Sequence, residues 1–296
     1  MKRMLRLITI LLMLACLLVL IPSGYIVAQA EIIELPMDAK AGLEPLASGY
    51  LSEWEYEDPS ISVKIEKSRI YETDYLVARV KLANASQIRS TMVGTYYNNY
   101  TIGGATMAKR ANAVLAINGD FFSARNGVGS VIRLGKQYRN KCNGKYDVLI
   151  IDDQGDLHIL QNATKADVKA FEGTPINSYT FGPALVVNGV KQTGFVDMDN
   201  AALKEAQRMC LAQVGPLEYL CIASEGPEDK GSVGLTMEQF SELVASFEGV
   251  QNAYNLDGGS STTMVFNGDK INSPRNPKRR HIADMIYFAS AWQPEE

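Results

Sequence analysis

Histidine is scarce in this chain, and its scarcity disfavours two common kinds of active site. The 296 residues contain two histidines, His158 and His281. No Ser-His-Asp order or metal-spaced histidine pair can be built from them, which disfavours a serine-hydrolase triad and a His/Cys zinc site. Ca²⁺ bound by aspartate and backbone oxygens stays open, although no stretch has EF-hand spacing. The sequence therefore predicts no metal ligand and no required cofactor, with Ca²⁺ as the one candidate ion.

Positive charge is neither in excess nor spread over a surface. Lys and Arg number 29 against 33 Asp and Glu, for a formal net charge of −4. One basic cluster precedes the last predicted strand and consists of Arg275, Lys278, Arg279, Arg280 and His281. Because a nucleic-acid-binding protein needs a broad basic face, no nucleic-acid partner is expected.

Cysteine is also sparse, with Cys142, Cys210 and Cys221 as the three that follow residue 30. Their odd number leaves at least one without a partner in the same chain. Cys210 and Cys221 flank an apparent hairpin, and they face each other if Val214 lies opposite Leu217. A cross-strand disulfide and two buried thiols are then equal alternatives, because the pattern does not determine the register of the turn.

The amino terminus has the pattern of an export signal. Three basic residues precede an apolar run at residues 7–21, and Ala-Gln-Ala at 28–30 matches a cleavage site. We predict a signal peptide at residues 1–30. The alternative is an uncleaved membrane anchor, because the run extended to residue 28 has about 22 residues. Either interpretation places the protein in the secreted or extracytoplasmic envelope fraction, with membrane contact only if the segment is retained.

The rest of the chain reads as many short strands with few helices. Residues 31–60 are acidic and contain three prolines, and we interpret them as a linker or wrapping arm before one domain at residues 61–292. Thr236 and Gln239 fit a capping box at the start of one clear helix. The clearest strands are predicted at 113–117, 148–151, 157–160, 184–187, 208–214, 217–223 and 284–288. This pattern predicts an α+β fold, a single domain with a mixed, largely antiparallel β-sheet core and a few packed helices.

Residues 253–265 carry the clearest signal of a functional site. An apolar strand ends at Asn255 and Asp257, and Gly258, Gly259 and four hydroxyl residues follow. Glycines leave backbone N–H groups open to a ligand, and small hydroxyl side chains add donors without filling the space. An acid beside such a loop suits a sugar or a phosphate ester. A plain β-turn between two strands is the alternative.

A second apolar strand ends in the same way, at Asn118, Gly119 and Asp120. Alone it fits a type I′ hairpin turn equally well. Two such strand ends in one chain favour a shared site. Arg208 opens a later strand, where it either pairs with a surface acid or clamps two phosphate oxygens.

Six segments in chain order resemble motifs of the phosphodiester glycosidase family. They lie at residues 116–122, 181–186, 208, 234–236, 255–264 and 280–284. The first is similar to the family's A-I-N-G-[GD]-[FY]-F and the fifth to its N-L-D-G-G-G-S-S-T, with Ser260 in place of the third glycine. Arg208 stands where the family's R-T-A-I-G strand begins, although residues 209–212 depart from it. The resemblance covers about residues 61–289.

This resemblance implies a glycoside hydrolase that cleaves a sugar-1-phosphodiester of the GlcNAc-1-phosphate type at the glycosidic carbon. Phosphate is a good leaving group, so one carboxylate and a cationic clamp can suffice instead of the usual carboxylate pair. Asp257 is then the catalytic base or nucleophile, and Asp120 is the alternative catalytic acid. Backbone N–H groups of residues 258–261 would form an anion nest. The implied substrate-binding residues are Asn118, Gly119, Arg208, Asn255, Gly258, Gly259, Ser260, Ser261, Thr262 and Arg280.

Two other classes of function stay open at this point. Ser260 favours a non-catalytic glycan-binding protein of the envelope, or a part of exopolysaccharide assembly. A metal-dependent phosphodiesterase would cut the P–O bond instead. The expected partner in each case is a carbohydrate or sugar-phosphate, with a cell-wall polymer among the candidates.

Overall fold

The computed structural model describes residues 30–94, 96, 100–120, 127–195, 203–227, 229–273 and 280–295. Ile32–Trp292 form one compact unit. Residues 1–29 of the predicted signal peptide and the basic residues 275–279 lie outside the described residues. Within the described part of the chain, no helix is long and apolar enough to cross a membrane.

Short strands dominate the described secondary structure. In chain order they are β1 (Glu31–Ile32), β2 (Tyr50–Ser52), β3 (Glu55–Asp58), β4 (Ile61–Ile70), β5 (Thr73–Leu82), β6 (Ile88–Met92), β7 (Ile102–Gly103), β8 (Ala113–Asn118), β9 (Gly129–Arg133), β10 (Lys136–Lys141), β11 (Val148–Asp152), β12 (Leu157–Leu160), β13 (Pro175–Tyr179), β14 (Ala184–Val187), β15 (Val190–Lys191), β16 (Arg208–Gly215), β17 (Glu218–Ser224), β18 (Asn252–Asn255), β19 (Met264–Phe266), β20 (Asp269–Lys270), β21 (His281–Ile282), β22 (Asp284–Ala289) and β23 (Trp292–Gln293). The helices are α1 (Gly104–Arg110), α2 (Lys165–Lys169) and α3 (Met237–Ala245). Each predicted strand is present.

These strands form three large sheets among the described residues. The first has the order β15-β14-β18-β16-β17-β5-β4-β3-β2, the second β10-β9-β13-β11-β12, and the third β20-β19-β8-β22-β6. Neighbouring strands pair antiparallel, as in β16 with β18 and β8 with β22. Residues 31–60 contribute β2 and β3 to one edge of the first sheet. The predicted α+β class and largely antiparallel core are confirmed.

The main apolar core draws buried side chains from all three sheets. Leu211 of the first sheet, Leu149 of the second and Ile117 of the third belong to one buried cluster. Removing such side chains from water is the main favourable contribution to folding, at roughly 25 cal/mol per Å² of apolar surface. This shared core brings the ends of strands from different sheets together.

Helix α3 covers the opposite face of the first sheet. Its first turn has the predicted capping box, in which the Thr236 side chain accepts from the Gln239 N–H and Gln239 Oε1 accepts from the Thr236 N–H at 2.9 Å. Phe240 and Leu243 of the helix are buried in one cluster with Leu185 of β14. The helix therefore packs beside the strands whose ends carry the candidate site.

The β16–β17 hairpin decides between the two alternatives for its cysteines. A register shift follows Gln213, so Cys210 lies opposite Ile222 and Leu211 lies opposite Cys221. Successive strand residues point to opposite faces, and Cys210 faces the α3 side while Cys221 faces the main core. All three described cysteines are free and buried. Val214 does not lie opposite Leu217, so of the two alternatives the structure has Cys210 and Cys221 as two buried thiols.

Candidate active site

The two polar strand ends, after β8 and after β18, meet in the structure. Asn118 Nδ2 donates to the backbone oxygen of Asp257 at 2.7 Å, and the Asp257 N–H donates to the Gly119 oxygen at 3.1 Å. Asn118 Oδ1 accepts from the Thr263 N–H at 2.9 Å. The amide of Asn118 therefore holds the loop after Asp257 in place, where the sequence predicted a contact with a sugar hydroxyl.

The loop after Asp257 is a tight turn that requires its glycines. A Cβ on Gly258 would lie 2.7 Å from the Gln207 oxygen, and Gly259 has a φ of +57°, in the left-handed region. The Gly259 N–H donates to the Gln207 oxygen at 2.8 Å, and the Ser261 N–H donates to the Gly258 oxygen at 3.2 Å. These two N–H groups donate to oxygens within the protein. Of the N–H groups predicted to form an anion nest, those of Gly258 and Ser260 remain as candidates.

A buried polar network supports this turn from behind. The Ser273 N–H and Oγ donate to the Glu225 carboxylate at 2.6 and 2.8 Å, and Gln207 Nε2 donates to Ser273 Oγ at 2.5 Å. Burial raises the pKa of Glu225, and the hydrogen bonds from Ser273 oppose that rise. Asn272 Nδ2 donates to the Thr262 oxygen at 2.9 Å. The turn is thereby fixed to β16 and to the segment after β20.

Two predicted substrate-binding residues lie beneath the surface. Thr262 is 0% exposed and Asn255 is 1% exposed. Asn255 Nδ2 donates to the Gly182 oxygen at 2.7 Å, and the Gly182 N–H donates to the Asn255 oxygen at 3.1 Å. Asn255 therefore positions the segment before β14, and Thr262 completes the base of the turn.

Asp257 lies in the wall of a cleft of about 860 Å³. Gly258, Gly259 and Arg208 line the same cleft. Cys210 of β16 lies opposite Asn255 of β18, and the Leu256 N–H donates to the Met209 oxygen at 2.8 Å. The continuation of this register puts Arg208 level with Asp257, just past the end of β18. The cleft wall thus joins a carboxylate, a cation and a glycine turn.

The Arg208 side chain is held rigidly in that wall. It is 6% exposed. Its Nε donates to the Leu235 oxygen at 3.0 Å and its Nη2 to the Lys204 oxygen at 2.7 Å. A guanidinium fixed in this way presents positive charge without losing further side-chain freedom on binding an anion.

Asp120 belongs instead to a buried ion-pair cluster. Arg133 Nη2 lies 3.0 Å from Asp120 Oδ1 and 2.6 Å from Asp284 Oδ2. The Thr180 N–H donates to Asp120 Oδ2 at 2.7 Å. Asp120 is 0% exposed, so both of its carboxylate oxygens serve contacts inside the protein. Of the two predicted catalytic carboxylates, Asp257 lines the cleft.

Asp284 shares the Arg133 cation and lies close to Asp257. A cavity of about 10 Å³, roughly the space of one water, is lined by both carboxylate residues and by Asn118 and Gly119. Burial raises the pKa of Asp284 to about 7, Arg133 opposes the rise, and the charges of Asp120 and Asp257 add to it. A Cβ on Gly119 would lie 2.4 Å from Asp284 Oδ2, so this glycine permits the close approach.

Arg280 contacts the glycine turn. Its Nη1 donates to Ser260 Oγ at 3.2 Å, and the side chain is exposed. Ser260, which replaces a glycine of the family motif, therefore has a role in holding Arg280. In the described residues no group of three or more His, Cys, Asp or Glu side chains is arranged to hold a metal.

A family model described as phosphodiester glycosidase matches residues 111–289. The chain belongs to the phosphodiester glycosidase family. The match includes both polar strand ends, Arg133, Arg208 and Asp284. The resemblance inferred from the motifs is confirmed.

Two comparisons show which known proteins this chain is similar to. The SPbeta prophage-derived uncharacterized protein YomE of Bacillus subtilis (strain 168) is 27% identical over 186 residues, which cover 61% of this chain and 28% of YomE. The chain thus spans less than a third of that relative. The catalytic domain of zebrafish N-acetylglucosamine-1-phosphodiester alpha-N-acetylglucosaminidase, auto-inhibited by its pro-peptide, superposes with a TM-score of 0.65 at 17% identity, over 88% of this chain and 98% of that chain.

A further solved structure shares the fold. A putative exported protein from Burkholderia pseudomallei has a TM-score of 0.50 at 13% identity, over 73% of this chain and 74% of that chain.

Two residues of the candidate site, Asp284 and Arg133, could not be assigned a role from the sequence. In the sequence, Asp284 is the last residue of the motif at 280–284, and nothing in that motif indicates its function. Arg133 had no local signal, because an arginine in an ordinary strand sequence looks exposed. Its importance depends on two carboxylates, one 13 and one 151 positions away.

Proposed function

We propose that this protein hydrolyses a sugar-1-phosphodiester of the GlcNAc-1-phosphate type, with water replacing the phosphate at the glycosidic carbon. The observation that carries the proposal is the joint placement of Asp257 and Arg208, level with each other in one cleft wall. Family membership supports glycosidase chemistry of this class. The sugar-phosphodiester substrate of the zebrafish enzyme, as its name gives it, supports the choice of linkage.

The two side chains divide the chemistry between them. Arg208 stabilises the negative charge that develops on the leaving phosphate. Asp257 acts on the other reactant, as the base that activates water or as the nucleophile that attacks the sugar carbon. Since phosphate leaves readily, protonation of the leaving group is less important than in ordinary glycosidases.

Asp257 is assigned this role in preference to Asp120. A catalytic group must reach the reacting atoms, and Asp257 lines the cleft. Asp120 is fully buried with Arg133 and Thr180 as partners. We assign Asp120 and Asp284 to the positioning of the site.

The protein acts outside the cytoplasm in this proposal. The signal-peptide pattern of residues 1–30 supports it. So does the fold shared with a protein described as exported. A sugar-phosphodiester substrate in that location is a free glycan or part of a cell-wall polymer.

The test is turnover of glycosyl-1-phosphodiesters, including methyl N-acetylglucosaminyl-1-phosphate diester, with and without a chelator. We expect release of the free sugar and a phosphomonoester, and a loss of roughly 10²–10⁴-fold in kcat for Asp257→Asn. Asp153→Asn is the matched control, since Asp153 is exposed on the turn between β11 and β12.

Three other results of this assay would contradict the proposal or favour one of its alternatives. Near-normal turnover by Asp257→Asn refutes the assigned role. Tight glycan binding without any product supports the non-catalytic alternative, and activity that disappears with the chelator supports the metal-dependent phosphodiesterase.

A further inference from the structure

The cleft runs across the end of four neighbouring strands of the first sheet. These are β16, β18, β14 and β15, in that spatial order. Because they pair antiparallel, Arg208 at the start of β16, Asp257 after β18, Pro183 before β14 and Thr193 after β15 lie at one edge. All four line the cleft. Three steps of about 4.8 Å between strands give a length of about 14 Å.

The proposed catalytic residues lie at one end of the cleft. Arg208 lies at the β16 end and Asp257 one strand along, so the leaving phosphate is bound at that end. The sugar that carries the scissile bond then lies on the β14 side of Asp257. The part of the cleft over β14 and β15 therefore receives the glycosyl side of the substrate.

The end of the cleft over β15 is lined by uncharged hydrogen-bonding side chains. Gln192 and Thr193 follow β15, and Gln161 and Asn162 follow β12 of the second sheet; all four line the cleft. Gln161 Nε2 donates to Gln192 Oε1 at 3.0 Å, so the two sheets approach each other here. Amide and hydroxyl groups of this kind orient neutral polar ligands such as sugar hydroxyls.

Charge along this wall is balanced. Lys145 is exposed and lines the cleft, as does Asp147. Asp147 accepts the Asn162 and Ala184 N–H groups at 2.8 Å each, which ties the second sheet to β14. A second phosphate would need a larger excess of cations, so this end suits a neutral glycan.

We propose that the glycosyl part of the substrate is an oligosaccharide, whose additional sugars lie over β14 and β15 against Gln161, Asn162, Gln192 and Thr193. The volume of about 860 Å³ supports this, since it lies in the upper part of the roughly 300–1,000 Å³ range of pockets that enclose ligands larger than one sugar. The inference rests on the proposed function, because the direction of the glycan follows from the positions of Asp257 and Arg208.

The test compares substrates that share one leaving group, methyl phosphate, and differ in carrying one sugar or three. The purified protein is assayed with an N-acetylglucosaminyl and a glucosyl series. We expect kcat/KM to be at least about tenfold higher for the three-sugar member of the preferred series. Gln192→Ala and, separately, Gln161→Ala each reduce that ratio about fivefold, as expected for one uncharged hydrogen bond. Gln154→Ala is the control, an exposed glutamine on the β11–β12 turn.

Equal kcat/KM for one and three sugars in both series overturns the inference while leaving the proposed function in place. A ratio that neither variant changes also overturns it. If neither member is hydrolysed, the proposed function fails and calorimetry with the one-sugar and three-sugar 1-phosphates decides the inference. Tighter binding of the three-sugar ligand that Gln192→Ala weakens supports it, and equal affinities refute it.

Discussion

Single residues set the electrostatics of the site, and Arg133 dominates them. Its guanidinium contacts Asp120 and Asp284 and lies over the Tyr179 ring, 4.1 Å from the centroid. Burial would lower the pKa of Arg133, but the two carboxylates raise it above its ordinary value. Two carboxylates on one cation leave one negative charge in excess, and burial raises the pKa of Asp284 to about 7. The charge of this cluster therefore depends on a buried carboxyl beside Asp257 whose pKa lies well above its ordinary value.

Asp284 gives a prediction for stability against pH. Its pKa in the folded protein, about 7, lies above the ordinary value of 3.8, so the folded state keeps a proton that the unfolded chain releases. The resulting stabilisation is complete below about pH 4 and is lost as pH rises through 7. Between pH 5 and pH 8 the loss is roughly 2–3 kcal/mol.

Urea unfolding of the wild type and Asp284→Asn at pH 5 and pH 8 measures this term. We expect the variant to lose less free energy of unfolding than the wild type over that interval, because asparagine does not titrate. The same pH dependence in both proteins contradicts the assignment of the raised pKa to Asp284.

Arg208→Lys tests the fixed guanidinium. Lysine keeps the charge but cannot donate to both the Leu235 and Lys204 oxygens in the planar arrangement that arginine provides. We expect kcat/KM for a sugar-1-phosphodiester to fall roughly 10²-fold. Arg110→Lys, at an exposed position of α1, is the control. Unchanged kcat/KM in Arg208→Lys would mean that the guanidinium does not contact the phosphate.

The sequence predicted those secondary-structure elements that depend on residues close together in the chain. The capping box at Thr236 and the apolar strands β8 and β18 could be predicted, because a cap or an apolar strand depends on residues that are adjacent in the chain. The register of β16 against β17 was not, since the shift after Gln213 depends on pairing rather than on composition. One residue of slip reverses the face of every side chain, which is why the cysteine pairing could not be predicted.

The structure predicts that Cys142, Cys210 and Cys221 are free thiols that do not react in the folded state. Burial raises the pKa of Cys142 to about 11 and raises those of Cys210 and Cys221 above their ordinary value. At pH 8 we expect no alkylation of these residues in the folded protein. After denaturation without a reductant, peptide mapping should find the label on all three. A Cys210–Cys221 pair that takes label only after reduction contradicts this register.

At the scale of the whole molecule, the site is assembled from three sheets. Asp257 comes from the first sheet, Gln161 from the second, and Asn118 and Asp284 from the third. The sequence predicted that two similar strand ends meet, which the structure bears out. It carried no signal for the contribution of the second sheet, because Gln161 and Gln192 become neighbours only through the packing of separate sheets. The sequence also could not show that Asp120 is buried while Asp257 lines the cleft, because burial too depends on how the sheets pack.

Hydrolysis in ¹⁸O-labelled water tests the central claim most directly. The phosphomonoester is the product to examine, since a free sugar can exchange its anomeric oxygen with water. Attack at the glycosidic carbon predicts an unlabelled phosphomonoester by mass spectrometry, released at the rate of sugar formation and lost in Asp257→Asn. One ¹⁸O atom in the phosphomonoester would show attack at phosphorus and contradict the account.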